Sequence, residues 1–346
     1  MDITIPFIVG AAGLAGVAVI APATKYALDI YPHLYANTRC ASRSGSLLSK
    51  KVFEELLAAT STEELFALLE DTYYGGIVEH SREFFGFSAA LERDFYRTYR
   101  WLATIVPEKL VPVIKAVKMR FEVADIKRAL NDLKSGRDIR ELEFVENYDL
   151  RLKIEGSKDF QSLVVAVEDS EYAQIFQTRT MGDLGEINTL LDKHYVAALI
   201  KAIGLIKDKE SVAPFQDYAR TLVDLYNVRL MVRRIRAKSD EPLIVGGNMD
   251  PGELAGITDP VQLESTLSNG RYGEYIGTVT NINVENGLYK CIFELAKNAA
   301  AKYTIKSGTV VRFMLLKEIE VRNLNTVIKL KTENFSADEI RPNLVM

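Results

Sequence analysis

The chain has 346 residues, 48% hydrophobic and 26% charged, an ordinary globular composition with enough material for a large core. Lys and Arg number 43 against 47 Asp and Glu, a net charge of −4, so no overall basic field exists to recruit nucleic acid. The two cysteines, Cys40 and Cys291, are too few for a disulfide framework or a thiolate metal cage, which points to a reducing compartment.

The chain opens on an apolar leader. Residues 3–24, ITIPFIVGAAGLAGVAVIAPAT, carry no charge, and about 20 apolar residues suffice to cross a bilayer. Pro6 and Pro22 confine an uninterrupted helix to residues 7–21, about 22 Å long, so the stretch spans only with help. A cleaved signal peptide is the competing reading, but no Lys or Arg precedes the run. Asp2 stands before it and Lys25, Arg39 and Arg43 after it, an order that puts the body of the protein on the cytoplasmic side. Gly10, Gly13 and Gly16 give the predicted helix a smooth surface for close packing on another helix. Folding back onto the soluble body is the alternative.

Beyond residue 40 apolar residues recur at three and four rather than two, and the expected class is all-α. Capping boxes are predicted at Ser61 to Glu64, Asp183 to Glu186 and Ser336 to Glu339, and an N-cap at Asp259-Pro260. Gly136 and Gly246-Gly247 punctuate the chain near thirds.

A long repeat organises this pattern. Leu65 to Tyr74, Leu163 to Tyr172 and Leu263 to Tyr272 share one spacing and lie 98 and 100 residues apart. Downstream, EVADIKRAL from Glu122, DLYNVRLMV from Asp224 and EVRNLNTVI from Glu320 lie 102 and 96 apart. Each places Asp125, Asn227 or Asn323 three residues after its acid, inside a helix rich in Lys and Arg. Two anchors at one period predict three homologous helical bundles at 31–140, 141–245 and 246–346, after a hydrophobic segment at 1–30. Similar units joined head to tail close into a ring when the rotation permits, here a pseudo-threefold body.

Motifs of catalysis are missing from the sequence. There is no phosphate loop, no His-Glu-x-x-His and no Gly-x-Ser-x-Gly elbow, and His33, His80 and His194 are scattered, so no cofactor or metal site is expected. Glu70-Asp71 and Glu168-Asp169 suggest the acids of an all-helical enzyme of diphosphate chemistry, but adjacent acids diverge by about 100° on a helix, as solvated helix ends do. The basic run has Arg229, Arg233 and Arg236 on one helix face. It reads either as a partner contact or as a cationic helix C-terminus complementing its dipole.

The segment Tyr35-Ala36-Asn37-Thr38-Arg39, with Ala41, Arg43 and Leu47-Leu48, resembles the opening of the C subunit of archaeal and vacuolar-type rotary ATPases, the relative of the eukaryotic d subunit. The three Asp- or Asn-bearing helices, Leu243-Ile244-Val245-Gly246-Gly247 and the closing Ile340-Arg341-Pro342-Asn343-Leu344-Val345 are similar to that family too, over about residues 31–346. The resemblance implies a non-catalytic rotor component: three helical domains in a funnel, seated on the membrane proteolipid ring at the cytoplasmic face and receiving the D- and F-type shaft subunits in its mouth. It would couple ATP turnover to proton or sodium movement. Arg39 and Arg43 become contact candidates through it. The leader departs from the family pattern, and the expectation is that it descends into the ring opening or nearby lipid. A membrane-tethered helical scaffold with other partners is the alternative class.

Overall fold

A computed structural model of the chain describes residue 24 and residues 26–137, 139, 149–237, 242–275 and 281–346. The predicted leader helix, with Gly10, Gly13 and Gly16, and the expected boundary at 140/141 lie outside the described residues. Among the described residues all regular structure is helical.

Helix α1 covers 26–44. Then comes a unit of two short helices, one helical turn and two long helices: α2 Lys50–Ala58, α3 Thr62–Glu70, α4 Gly75–Val78, α5 Phe84–Ile105 and α6 Val111–Lys134. The order returns as α7 Asp149–Glu155, α8 Phe160–Val167, α9 Ala173–Phe176, α10 Leu184–Gly204 and α11 Lys209–Ala237. It returns again as α12 Pro251–Ala255, α13 Pro260–Asn269, a run of turns at 271–275, α14 Asn281–Lys302 and α15 Gly308–Thr332. The last helix is α16 Ala337–Ile340, followed by a 3-10 turn, Arg341–Asn343.

The local starts follow the chemistry of the orphan backbone donors. Ser61 Oγ accepts from the Glu64 N–H at 3.2 Å, and the Glu64 carboxylate reaches back to the Thr60 N–H at 2.7 Å. Ser336 and Glu339 form the reciprocal pair, and Asp259 caps α13 ahead of Pro260. The box expected at Asp183 to Glu186 is displaced: Thr180 and Asp183 make it, on a 3-10 turn at Met181–Asp183. Glu186 instead pairs with Arg179 at 2.7 Å, a charge-assisted bond that outcompetes a neutral backbone donor.

The six long helices neighbour one another cyclically. Within each unit the long pair is a hairpin; between units α6 lies on α10, α11 on α14 and α15 back on α5. Apolar stripes at helical spacing make this possible, as in Phe87, Leu91, Phe95, Tyr99 and Leu102 of α5, and a single apolar core runs through all three hairpins.

The chain leaving a long helix is pinned by an asparagine. Asn227 Nδ2 donates to the Ile244 carbonyl at 2.8 Å while its Oδ1 accepts from the Ile244 N–H at 2.7 Å. Asn323 does the same to Val345, at 2.7 and 3.1 Å. A side-chain amide carries donor and acceptor in one plane, so one residue satisfies both groups of a buried peptide. Asp125, the equivalent residue, is buried and pairs with Arg128 of its own helix at 2.7 Å; a carboxylate has no donor for a carbonyl, so it cannot make this two-way bond. After Asn227 the chain turns through Gly246, at φ 107°, and Gly247, where a Cβ would overlap the Asp224 carboxylate.

Replacing Asn227 with leucine keeps the branched outline of the side chain and strands both Ile244 groups, a loss of about 2–4 kcal/mol. Urea unfolding followed by circular dichroism should show the midpoint falling with little change of slope; an unmoved midpoint would mean that the clamp contributes nothing.

Candidate functional site

The seams between units carry the repeat markers. Tyr172, just before α9, donates its hydroxyl to Glu122 Oε2 of α6 at 3.3 Å. Tyr272, after α13, donates to Asp224 Oδ2 of α11, and Tyr74, before α4, donates to Glu320 Oε2 of α15 at 2.5 Å. Each tyrosine therefore serves the acid of the unit before it, and the first unit serves the last. The tyrosines and acids were legible as anchors in the sequence; that they bond crosswise was not.

Burial makes these bonds matter. Tyr74, Tyr172 and Tyr272 are at most 1% exposed, and Asp224 and Glu320 are buried with them. Asp224 also accepts from the backbone N–H groups of Asn248 and Met249, at 2.9 and 3.1 Å. Glu320 also accepts from the Leu48 N–H at 2.5 Å and from Lys317 Nζ at 3.2 Å. Burial, then the charge of Glu320, holds the Tyr74 phenol well above its ordinary range, and the other two seam phenols are raised by burial and by Glu122 or Asp224. Burial also raises the Glu122 carboxyl, against the Tyr172 bond that lowers it.

Inside the ring the lining is charged. Arg120 Nη1 meets Glu318 Oε1 at 2.8 Å, and Tyr218 donates to Glu318 Oε2 at 3.4 Å. A cavity of about 240 Å³ is walled here by Arg120, Lys127, Asp192, Tyr195, Arg229 and Glu318, with Lys127 and Asp192 paired at 2.5 Å.

At one end of the ring the loops joining the long helices, 106–110, 205–208 and 303–307, gather against α1. Lys109 Nζ contacts Asp29 Oδ1 and Asp208 Oδ2, both at 2.7 Å, and Lys306 Nζ contacts the same two carboxylates at 2.7 and 3.1 Å. One face of α1 delivers Asp29, His33 and Asn37 at spacings of four: His33 Nε2 bonds Ser211 Oγ at 3.0 Å, and Asn37 Nδ2 donates to the Lys306 carbonyl at 2.7 Å. Sequence reasoning missed this node, although Lys109, Asp208 and Lys306 stand 99 and 98 residues apart, the period already found. Hydrogen bonds from Lys109 and Lys306 hold Asp29 below the usual carboxylate range. For Asp208 burial works upward, but bonds from Lys109, Ser211 and Lys306 outweigh it and hold the carboxyl well down. Burial, then the two lysines, pushes His33 down to about 4.

The sequence-flagged arginines disperse. Arg43 lies over the Trp101 ring, 4.5 Å from its centroid, and donates to the Tyr73 hydroxyl at 3.3 Å. Arg229 faces the cavity and Tyr226, Arg233 donates to Thr189 Oγ1 at 3.3 Å, and Arg236 and Arg39 are exposed. Glu70-Asp71 and Glu168-Asp169 are exposed at the ends of α3 and α8, where Arg82 pairs with Glu70 and Lys153 with Asp169. His80 bonds the Gly76 carbonyl and His194 the Glu171 carboxylate. Among the described residues no group of three or more His, Cys, Asp or Glu side chains is placed to hold a metal ion.

A closed cycle of helix hairpins, whose buried polar groups are spent on one another across seams, defines a structural component built to keep its shape. The family model of the ATP synthase (C/AC39) subunit matches residues 36–343, and the chain belongs to that family. It is 26% identical to the C subunit of the A-type ATP synthase of Methanocaldococcus jannaschii, over 93% of this chain and 88% of that protein. Its identity to the corresponding protein of Methanothermobacter thermautotrophicus is also 26%, over 92% and 89% of the two chains. With that of Methanosarcina acetivorans it is 25%, over 91% and 93%. Membership sets the chain among the subunits of such complexes and not among their catalytic chains.

The node sets a pH dependence. His33, Asp29 and Asp208 all titrate lower folded than unfolded, so the unfolded chain binds more protons and stability falls with falling pH. The histidine contribution, up to about 3 kcal/mol, is complete above about 6.5 and lost as pH drops toward 4; the carboxylate part follows below the ordinary carboxylate range. Thermal melts across this window should steepen in the parent and flatten in His33→Gln, which keeps a bond to Ser211 without taking up a proton. Equal slopes in both would remove His33 from the account.

Proposed function

We propose that the chain is the non-catalytic C subunit of an A-type rotary ATP synthase, a rotor part between the central shaft and the membrane proteolipid ring. The observation that carries this reading is the crosswise set of tyrosine bonds, which ties the third unit to the first as it ties the others. Units at 31–140, 141–245 and 246–346 then make a pseudo-threefold funnel, in which torque entering one hairpin is borne by all three. Close-packed helices transmit strain, and a closed ring has no end at which to open.

The two ends of the ring differ. One is covered by α1, and the apolar leader runs into that helix in sequence, so this end faces the membrane sector. At the other, α5 begins and α15 ends, and a groove of about 690 Å³ lined by Phe84, Asn286, Arg322, Lys329, Leu330 and Phe335 opens there. That end is the mouth for the D- and F-type shaft subunits. No helix among the described residues is long and apolar enough to cross a membrane, so attachment at the cytoplasmic face rests on residues 3–24 and on the proteolipid ring. Arg39, Arg233 and Arg236 are exposed and are the contact candidates, Arg233 with one bond to Thr189; Arg43 and Arg229 are engaged within the chain. No observation favours the tethered scaffold, and the acid pairs of the diphosphate reading sit on exposed ends of short helices.

Affinity purification of the tagged chain from its native membranes should bring down proteolipid and shaft subunits together. Deleting residues 1–24 should loosen the chain from washed vesicles while leaving its melting temperature within a few degrees. Recovery of neither set of subunits would overturn the rotor reading.

A further inference from the structure

Helix α1 docks with its amphipathicity inverted. Toward the body it turns small and polar side chains: Asp29 into the lysine node, His33 onto Ser211, Ala36 and Cys40 into the core and Asn37 onto the loop before α15. Away from the body it shows Leu28 and Tyr31, each 70% exposed, with Leu34 and Tyr35 at 49%. Ala27 and Thr38 complete that face, and Arg39, one turn after Tyr35, stands at its edge. Soluble helices bury such a stripe, because large apolar patches in water are costly and rare on stable surfaces.

Exposed apolar side chains also stand on the ring loops on which α1 docks. Asn37 donates to the carbonyls of Thr304 and Lys306, on either side of Ile305, which is 48% exposed. His33 meets the first turn of α11, close after Leu205, which is 73% exposed. Lys201, Lys207, Lys209 and Arg39 stand exposed around these side chains, against the acids Glu108 and Glu210. The node lysines, Lys109 and Lys306, are already neutralised by Asp29 and Asp208.

We infer that the outward face of α1, together with Leu205 and Ile305, lies on a lipid surface. Three observations select lipid as the occupant. The uncharged run at 3–24 ends where α1 begins, so the chain reaches this face from the most membrane-compatible stretch of the sequence. Tyrosines, with an apolar ring and a polar tip, favour the bilayer interface, and Tyr26, Tyr31 and Tyr35 lead this helix. The cationic fringe around an apolar patch is the chemistry of an interfacial helix on anionic headgroups. The inference rests on the reading above only in taking the α1 end as the membrane-facing one.

The test uses the full chain with Tyr31→Trp. Trp101, half-buried on α5, is the chain's one native tryptophan and gives a constant background. Phe85→Trp, 83% exposed at the far end of the ring, is the control. Each is mixed with vesicles of phosphatidylcholine and phosphatidylglycerol, with and without bromine on the acyl chains. The inference expects bromolipid to remove at least half of the fluorescence added at position 31 and none of that added at position 85. Chain that floats with the vesicles while position 31 stays unquenched overturns the inference and leaves the membrane-facing reading intact. Chain that fails to float overturns the inference, and the membrane-facing reading, which also has the proteolipid ring to attach to, is then decided by the copurification. A blue shift at position 31 that grows with protein concentration in the absence of vesicles assigns the face to a second copy and overturns the inference as well.

Discussion

Everything in this architecture depends on three seam carboxylates, the half-buried Glu122 and the buried Asp224 and Glu320, each of which takes a tyrosine hydroxyl from another unit. An uncompensated charge in a protein interior costs several kcal/mol, so the buried Asp224 and Glu320 compel another part of the chain to bring a donor, and the half-buried Glu122 takes one in the same way. The donor is a tyrosine, long enough to cross a seam and apolar along its length, so that it packs while it bonds. Because each tyrosine belongs to the unit after the acid, satisfying the last acid requires the first unit, and the polypeptide closes on itself. The seam is thus directional, and the direction is what turns a tandem array into a cycle.

The seams are not interchangeable. Asp224 has a shorter reach than a glutamate, and the chain comes to it: Gly247 has no side chain to obstruct the carboxylate, so the Asn248 and Met249 N–H groups approach. Glu320 closes the cycle between the ends of the chain and is reinforced by Lys317, which donates to Tyr74 at 2.7 Å and pairs with Asp94 at 3.2 Å. Only this seam has no peptide linkage running directly from one unit to the next. The extra charges replace by electrostatics the chain connectivity that the other two possess, and their removal from water is offset by mutual bonding.

Much of this was readable in the sequence, because the repeat is written in residues whose roles are local. Tyr74, Tyr172 and Tyr272 keep their place before a short helical turn or its equivalent, and Asn227 and Asn323 keep theirs because both must clamp a returning peptide. The crosswise bonding was not readable, since spacing along the chain is the same whether a tyrosine serves its own unit or its neighbour. The Thr180 to Asp183 box was missed for a related reason: Arg179 competes for Glu186, and only the fold brings the competition into view. Most hidden was the node at Lys109, Asp208 and Lys306, whose positions repeat while their charges do not.

That last difference follows from the cyclic packing of the long helices. Residues at the centre of such a cycle lie near their counterparts, so a charge repeated there would face its own kind at short range, a repulsion of several kcal/mol at low dielectric. A tandem protein escapes by diverging only where copies meet. At the covered end Lys109, Asp208 and Lys306 alternate in sign, and Asp29 from α1 supplies the fourth charge, making two positive and two negative. Deeper in the ring, two residues before each seam acid, stand Arg120, Leu222 and Glu318: one cation, one apolar residue and one anion, with Arg120 and Glu318 paired. Away from this centre, the seam positions keep tyrosine in all three copies and an acid in all three. The repeat is therefore most faithful at its periphery and most broken at its centre. Helix α1 is itself held by that breakage, since an unbalanced set of charges calls for a fourth from outside.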